Sequence, residues 1–178
     1  MERLKNIAIL LQLIDALKEN GSWCGETHVQ KATYSLQQLK SVPLNFNFIL
    51  YKHGPFSFDL RDELTAMRAD GLISLQIMNE SYGPQLRITE RGQAILKLFA
   101  KTSEEYRNSV QFIGSTLGNK GVVDLEKLAT ALYVTNDMKI KGTDERVQKI
   151  VQLKPHITQE QAEKAVHDID MLIKSANT

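Results

Sequence analysis

Residues 72–88 read LISLQIMNESYGPQLRI and decide the predicted fold. Apolar and polar side chains alternate over residues 73–77, which is typical of a half-buried β-strand. A polar loop over residues 79–84 contains a Gly-Pro pair that favours a turn, and residues 86–88 supply a short second strand. This stretch therefore predicts a two-stranded antiparallel hairpin.

Three helices are predicted before this hairpin. Apolar residues at three- and four-residue steps predict the first over residues 4–19. The pair Thr27–Gln30 has the spacing of a capping box and predicts a second helix over residues 28–40. Ser57 is placed to cap a third helix, which Gly71 ends. A strand-like segment and a turn lie between the second and third helices.

The order helix, helix, helix, strand, loop, strand, helix is that of a winged helix-turn-helix domain, with the hairpin as the wing. Residues 41–56 depart from it, because DNA-binding helix-turn-helix proteins join these two helices by a short turn. From Thr102 onward the pattern is helical throughout. We therefore predict a mainly α-helical α+β protein, with a winged-helix-like domain in residues 1–102 and a helical subdomain packed on it in residues 103–178.

Four helices are predicted in the second part of the chain. Capping-box spacing marks the start of the first at Thr102–Glu105 and of the last at Thr158–Gln161. Asp124 is placed to cap the second helix, and Thr143 opens the third. Pro155 ends that third helix, because proline cannot continue a helix.

The composition is that of an ordinary folded protein. With 178 residues, of which 42% are hydrophobic, the chain can bury a core without disulfides or metal. Its 22 basic and 21 acidic residues leave a net charge of +1, which demands neither nucleic acid nor an anionic membrane as partner. The one cysteine, Cys24, favours a reducing compartment, so we predict a cytoplasmic location. The apolar stretch Ile7–Leu17 is too short to span a membrane and lacks a signal-peptide cleavage site, so no membrane contact is predicted.

No motif predicts catalysis, a cofactor or a metal. The histidines His28, His53, His156 and His167 lack the spacing of metal ligands. Cys24 lies four residues before His28, and we interpret this pair as structural. Glycine-rich phosphate loops are not present. The sequence therefore predicts a protein that is not an enzyme.

Aromatic residues are densest between residues 46 and 58. They are Phe46, Phe48, Tyr51, Phe56 and Phe58. One interpretation places them in the core under the third helix, and the other makes them an exposed surface for a partner protein. The Gly54-Pro55 pair leaves a similar choice, between a rigid corner before the third helix and part of a contact site. On the second interpretation the partner-binding residues are Tyr51, His53, Phe56 and Phe58.

A DNA-binding function is judged by charge. The third helix, residues 58–70, holds two arginines and four acidic residues, and its net charge of −2 opposes contact with phosphates. The candidate nucleic-acid contacts are Lys31, Lys52, Arg61, Arg87 and Arg91. This alternative predicts a homodimer, because such domains bind paired half-sites.

Five segments resemble the YwgA-like family of largely uncharacterised bacterial and archaeal proteins. They are HVQKATY at 28–34, YKHGPFS at 51–57, GLI at 71–73, LEKLATALY at 125–133 and LKPH at 153–156. The resemblance covers most of the chain, implies a prokaryotic protein and brings no catalytic residues with it.

The helix that leads to the Gly-Pro turn is more distantly similar to the Panacea (SocA-like) domain of antitoxins and proteolytic adaptors. A leucine usually stands in that domain where this chain has His28 or Val29. Such proteins act by binding other proteins, so the similarity implies the same mode of action. The sequence thus predicts a non-catalytic regulatory or adaptor protein that binds another protein. The alternative is a homodimeric winged-helix transcriptional regulator, whose residues 86–92 are similar to the wings of MarR- and PadR-type regulators.

Overall fold

The computed structural model describes residues 1–77 and 83–177. Its helices are α1 (Glu2–Glu19), α2 (Glu26–Lys40), α3 (Phe58–Ala69), α4 (Glu90–Leu98), α5 (Ala100–Leu117), α6 (Val122–Asn136), α7 (Thr143–Leu153) and α8 (Gln159–Ala176). Its strands are β1 (Ile49–Tyr51), β2 (Gly54–Phe56), β3 (Ile73–Gln76) and β4 (Gln85–Ile88). The strands form two antiparallel hairpins, β1–β2 and β3–β4. This architecture confirms the prediction of a mainly α-helical α+β protein.

Several local predictions are confirmed. The second hairpin pairs Ile73 with Ile88 and Leu75 with Leu86, although residues 79–82 of its predicted loop lie outside the described residues. Ser57 caps α3, because its hydroxyl accepts a hydrogen bond from the Leu60 amide at 3.2 Å. A complete capping box at Thr158 begins α8.

Three other cap predictions are wrong. Helix α2 begins earlier than predicted, with Gly25 as its N-cap, so Thr27–Gln30 lies inside the helix. Thr102 lies within α5, which begins at residue 100 directly after α4. Asp124 lies in the first turn of α6, for which Gly121 is the N-cap. Glycine can cap a helix without a side-chain bond, so it leaves a weaker signal than serine or threonine.

Helix α1 lies at the centre of the core and is buried around most of its circumference. Helix α5 packs along it through Gly114 and Gly118. A Cβ atom at Gly114 would lie 2.8 Å from the Ala16 Cβ, and one at Gly118 would lie 2.5 Å from the Asn20 Cβ. The two helices can approach this closely only because neither glycine carries a side chain.

One hydrophobic core contains residues of both predicted parts of the chain. Residue 102, the predicted domain boundary, lies inside α5. Helix α2 contacts α6 and α8, and these two contact α7. The first hairpin packs through β2 against both α2 and α6, and it therefore contacts both predicted parts of the chain.

The second hairpin is fixed by hydrogen bonds to main-chain carbonyls and by one close steric fit. The Leu86 amide donates to the Cys24 carbonyl at 2.9 Å, and the Thr89 hydroxyl donates to the Gly71 carbonyl at 2.6 Å. Gly92 packs against Leu72, where an added Cβ would lie 2.3 Å from the carbonyl oxygen. The hairpin is therefore tied to the loop before α2 and to the start of α4.

Across residues 1–77 and 83–177, no helix has both the length and the apolar character that crossing a membrane requires.

Candidate functional site

The β1–β2 hairpin is held in place by two buried lysines from distant parts of the chain. The Lys154 ammonium donates to the carbonyls of Tyr51 and Lys52, at 2.6 Å each. The Lys31 ammonium, from α2, donates to the Pro55 carbonyl at 3.0 Å. Both strands of the hairpin are thus bonded to the body of the protein through their main chain. The nucleic-acid prediction for Lys31 is corrected, because this side chain is buried and does not reach the surface.

Glu126 supplies the negative charge beside these lysines. It is 8% exposed, and its Oε1 lies 3.5 Å from the Lys154 Nζ. The same oxygen lies 3.2 Å from the His156 Nε2, and Oε2 lies 3.8 Å from the His53 Nδ1. Burial lowers the pKa of Lys31 to about 8, against the opposing effect of the Glu126 carboxylate and with the added effect of Lys154. Sequence reasoning missed Glu126 and Lys154.

The Gly54-Pro55 corner fits closely between α2 and α6. Gly54 has a φ of +88°, a conformation that a side chain would strain. A Cβ there would lie 3.3 Å from the Thr130 Oγ1 and 3.4 Å from the Lys31 Cε. Directly after the corner, the Gln30 amide bonds to both the N–H and the carbonyl of Ser57, at 2.9 Å each. The corner therefore directs the chain into α3 in one fixed orientation.

The aromatic residues divide into two groups. Phe46 and Phe48 are half-buried against the core, where the Phe48 ring lies 5.1 Å from that of Tyr34. The rings of Tyr51, Phe56 and Phe58 contact one another instead, with centroids 5.1 to 5.8 Å apart. We call these last three residues the aromatic patch. Each of the two interpretations of this segment thus describes one part of it.

The aromatic patch lies at the surface. Tyr51 is 54% exposed and Phe58 is 41% exposed, while Phe56 is partly buried between them. The Arg61 guanidinium lies 5.0 Å from the centre of the Phe58 ring. His53, also predicted as a contact, is exposed in the turn of the hairpin next to Lys52.

The segments that carry the family resemblance meet at this hairpin. Segment 28–34 contributes Lys31 and segment 125–133 contributes Glu126. Segment 153–156 contributes Lys154, which contacts segment 51–57. The fold therefore joins four of the five motifs into one structural unit around residues 51–56.

The candidate nucleic-acid residues do not share one surface. Arg61 lines a groove between α3 and the β3–β4 hairpin, and Leu86 of β4 lines the same groove. Arg87 points to the opposite face of the hairpin from Leu86, since successive side chains of a strand alternate. Lys52 lies in the turn of the other hairpin, and Arg91 is exposed at the start of α4.

Three of the four acidic residues of α3 have partners away from this groove, and the fourth, Asp62, pairs with Arg61. Glu63 and Asp70 pair with Arg3 of α1, at 2.9 and 3.3 Å. Asp59 accepts a hydrogen bond from the Asn47 amide at 3.2 Å. Among the described residues, the part of α3 that lines the groove is Arg61, Leu64, Thr65 and Arg68. The net charge of the helix therefore does not describe the charge of this face.

Cys24 and His28 take part in a buried hydrogen-bonded chain. The His28 Nε2 lies 2.9 Å from the Leu117 carbonyl, which only accepts, so this nitrogen donates. The Ser22 hydroxyl accepts from the Cys24 amide and is left to donate to the His28 Nδ1 at 2.7 Å. Burial lowers the pKa of His28 and raises that of the Cys24 thiol to about 12. These contacts join the loop before α2 to the end of α5.

Within the described ranges, no three His, Cys, Asp or Glu side chains are placed to hold a metal ion. No protein family matches the chain, and no curated protein matches it. The resemblance to the YwgA-like family and the Panacea domain stays a prediction from the motifs.

Proposed function

We propose that the chain is a non-catalytic regulatory or adaptor protein that binds a partner protein through the aromatic patch. The observation that carries the proposal is that the rings of Tyr51, Phe56 and Phe58 pack together, tilted or edge to face, at the surface. The hairpin that holds the first two is fixed by Lys31 and Lys154.

Two physical arguments favour this role. Aromatic side chains bury a large area on binding, and they lose little conformational entropy when they are already held in place. Binding energy in protein interfaces is concentrated in such clusters. Because the hairpin is bonded to the body of the protein through its carbonyls, the patch is ordered before any partner arrives.

The charges beside the patch favour one kind of partner. Lys52 follows Tyr51 in the turn, and Arg61, which also pairs with Asp62, lies against Phe58. The partner surface we propose is therefore apolar with acidic side chains at its border. The similarity to Panacea adaptors agrees with this role, and the buried free thiol of Cys24 agrees with a cytoplasmic location.

A photo-crosslinking amino acid at position 58 tests this proposal. The matched control places the same residue at Leu98, a 73% exposed apolar position on α4. In lysate of the native host we expect a discrete crosslinked protein from position 58 that is not formed from position 98. Adding Tyr51→Ala should reduce its yield severalfold. Equal crosslinking from both positions would contradict the proposal.

A second candidate is a winged-helix DNA-binding regulator, and one observation favours it. Arg61 and Arg68 lie on the side of α3 that faces the β3–β4 hairpin, while Glu63 and Asp70 pair with Arg3 instead. In this candidate α3 and the hairpin would contact the duplex together.

Fluorescence anisotropy with labelled random-sequence duplex at low and moderate salt tests this candidate. We expect micromolar, salt-sensitive binding that Arg68→Gln weakens, with Arg107→Gln on α5 as the control. The predicted homodimer would appear in the same samples by sedimentation. No binding at low salt, or equal losses from both variants, would remove the candidate.

A further inference from the structure

We propose that the groove between the start of α2, helix α3 and the β3–β4 hairpin binds a small apolar carboxylate. This site adjoins the aromatic patch through Arg61, but the ligand proposed for it does not depend on the proposed partner. The inference combines the apolar walls of the groove with the position of its two arginines.

The walls of the groove are apolar on several sides. Leu64 of α3, Leu75 of β3 and Leu86 of β4 line it, and the indole of Trp23 forms part of another wall. The Trp23 Nε1 donates to the Gly83 carbonyl at 2.8 Å, which fixes the orientation of the ring. The cavity volume is about 410 Å³, within the roughly 300–1,000 Å³ of small-molecule sites. An aryl or short alkyl group fits these walls and this volume.

The charge of the groove selects an anion. Arg61 and Arg68 are seven residues apart on α3, so their side chains project from the same face of the helix. The acidic side chain that lines the groove in the described residues is Glu26. Arg61 also contacts Asp62, at 3.0 Å, on the solvent side. His28 is buried with both ring nitrogens bonded. The Arg61 guanidinium is thus already shared between Asp62 and the Phe58 ring, so Arg68 is the main cation for a ligand carboxylate, which guanidinium binds in a bidentate geometry.

The arrangement places the two parts of the ligand. The apolar group would lie between the three leucines and the indole, and its carboxylate would reach Arg68 or Arg61. A neutral analogue of the same shape would keep the apolar contacts but lose the charge-assisted hydrogen bonds. The preference for the acid over its amide is therefore the property that distinguishes this site from a nonspecific apolar surface.

The chain contains a single tryptophan, and it lies in the groove, so its fluorescence reports on this site. We expect 4-phenylbutyrate to change the Trp23 emission saturably. The neutral 4-phenylbutanamide should bind roughly tenfold more weakly or worse, because a hydrogen bond to a charged group contributes about that factor. Isothermal calorimetry gives the same comparison without the reporter.

Two variants test the arginines. Arg68→Gln should weaken phenylbutyrate binding roughly tenfold while leaving amide binding unchanged, and Arg107→Gln on α5 should change neither. Arg61→Gln provides a second test should Arg68→Gln fold poorly, which circular dichroism would reveal. The inference is overturned by the absence of saturable binding in both methods at millimolar phenylbutyrate, or by equal affinities for the acid and the amide.

Discussion

The two hairpins of this protein are both two-stranded and antiparallel but are attached to it in different ways. The β1–β2 hairpin is held by charged side chains from α2 and from the residue after α7. The β3–β4 hairpin is held by main-chain hydrogen bonds and by the close fit of Gly92 against Leu72. The first attachment therefore joins distant parts of the sequence, whereas most of the second is made by neighbouring elements.

This difference has an energetic meaning. A buried ammonium group is tolerated only where carbonyls or carboxylates compensate it, and removal of one partner leaves the others unpaired. A steric fit has no such dependence on charge or pH. The two hairpins should consequently respond differently to substitution and to titration.

Lys154→Met should have the largest effect, because it leaves two hairpin carbonyls and Glu126 without their cation. We expect a loss of about 3 kcal/mol in the free energy of unfolding, measured with urea. Lys149→Met is the control, since this lysine is only partly buried and donates to the nearby Gln152 side chain, and it should cost less than about 0.5 kcal/mol. Equal losses from the two variants would show that the hairpin does not depend on Lys154.

Gly92→Ala should disturb the second hairpin by sterics alone. The added methyl would meet the Leu72 carbonyl at 2.3 Å and the Ile88 Cγ2 at 2.7 Å. We expect a loss of about 2 kcal/mol, after a small gain from the helix propensity of alanine. Gly121→Ala meets no atom within 4 Å and should cost less than about 1 kcal/mol. A Gly92→Ala protein as stable as the wild type would contradict the close fit.

The pH dependence of stability should distinguish the two attachments. The pKa of Lys31 is lowered from 10.5 to about 8 in the folded state, so between these values the unfolded chain holds the extra proton. The stability contributed by Lys31 is then fully present above 10.5 and decreases as pH falls towards 8. Relative to Lys31→Met, the wild type should gain about 1 to 2 kcal/mol over that range. The charged groups that face this lysine are Glu126 and Lys154. If the free energy of unfolding measured with urea changes equally with pH in the two proteins, the shift in the pKa of Lys31 is refuted.

Ser57→Ala should have the smallest effect, although Ser57 directly follows the first hairpin. The substitution removes the hydroxyl that caps α3, and it leaves the main-chain bonds to Gln30 in place. We expect a loss of about 1 kcal/mol. Ser115→Ala, in the interior of α5 and exposed, should be neutral within about 0.5 kcal/mol. A cost for Ser57→Ala close to that of Lys154→Met would mean that the hairpin is held mainly from its α3 end.

The sequence predicted the parts of the fold that depend on neighbouring residues. The second hairpin followed from alternation in residues 73–77, and the start of α3 followed from a serine cap. Only a turn was predicted where β2 lies, because Gly54-Pro55 favours a turn and proline lacks the N–H that donates a hydrogen bond within a sheet. Starts of helices at Gly25 and Gly121 were missed because glycine caps make no side-chain bond.

The candidate site was predicted where its residues are close in sequence. Tyr51, Phe56 and Phe58 could be grouped because they fall within one short segment. Lys154 and Glu126 could not, since a lysine that bonds to remote carbonyls leaves no local pattern. Lys31 was placed at the surface because a lysine is rarely buried unless it is paired, and its partners are distant in the chain.

The close packing of α1 on α5 has a consequence for synthesis of the chain. Helix α1 leaves the ribosome before α5, and its buried residues, among them Leu10, Leu13 and Ile14, are until then without this partner. Translation proceeds at roughly 5–20 residues per second, so α5, which begins at residue 100, follows only after several seconds. Through that interval a helix that the folded protein buries around most of its circumference is exposed, and nascent chains of this protein should be strong clients of ribosome-associated chaperones.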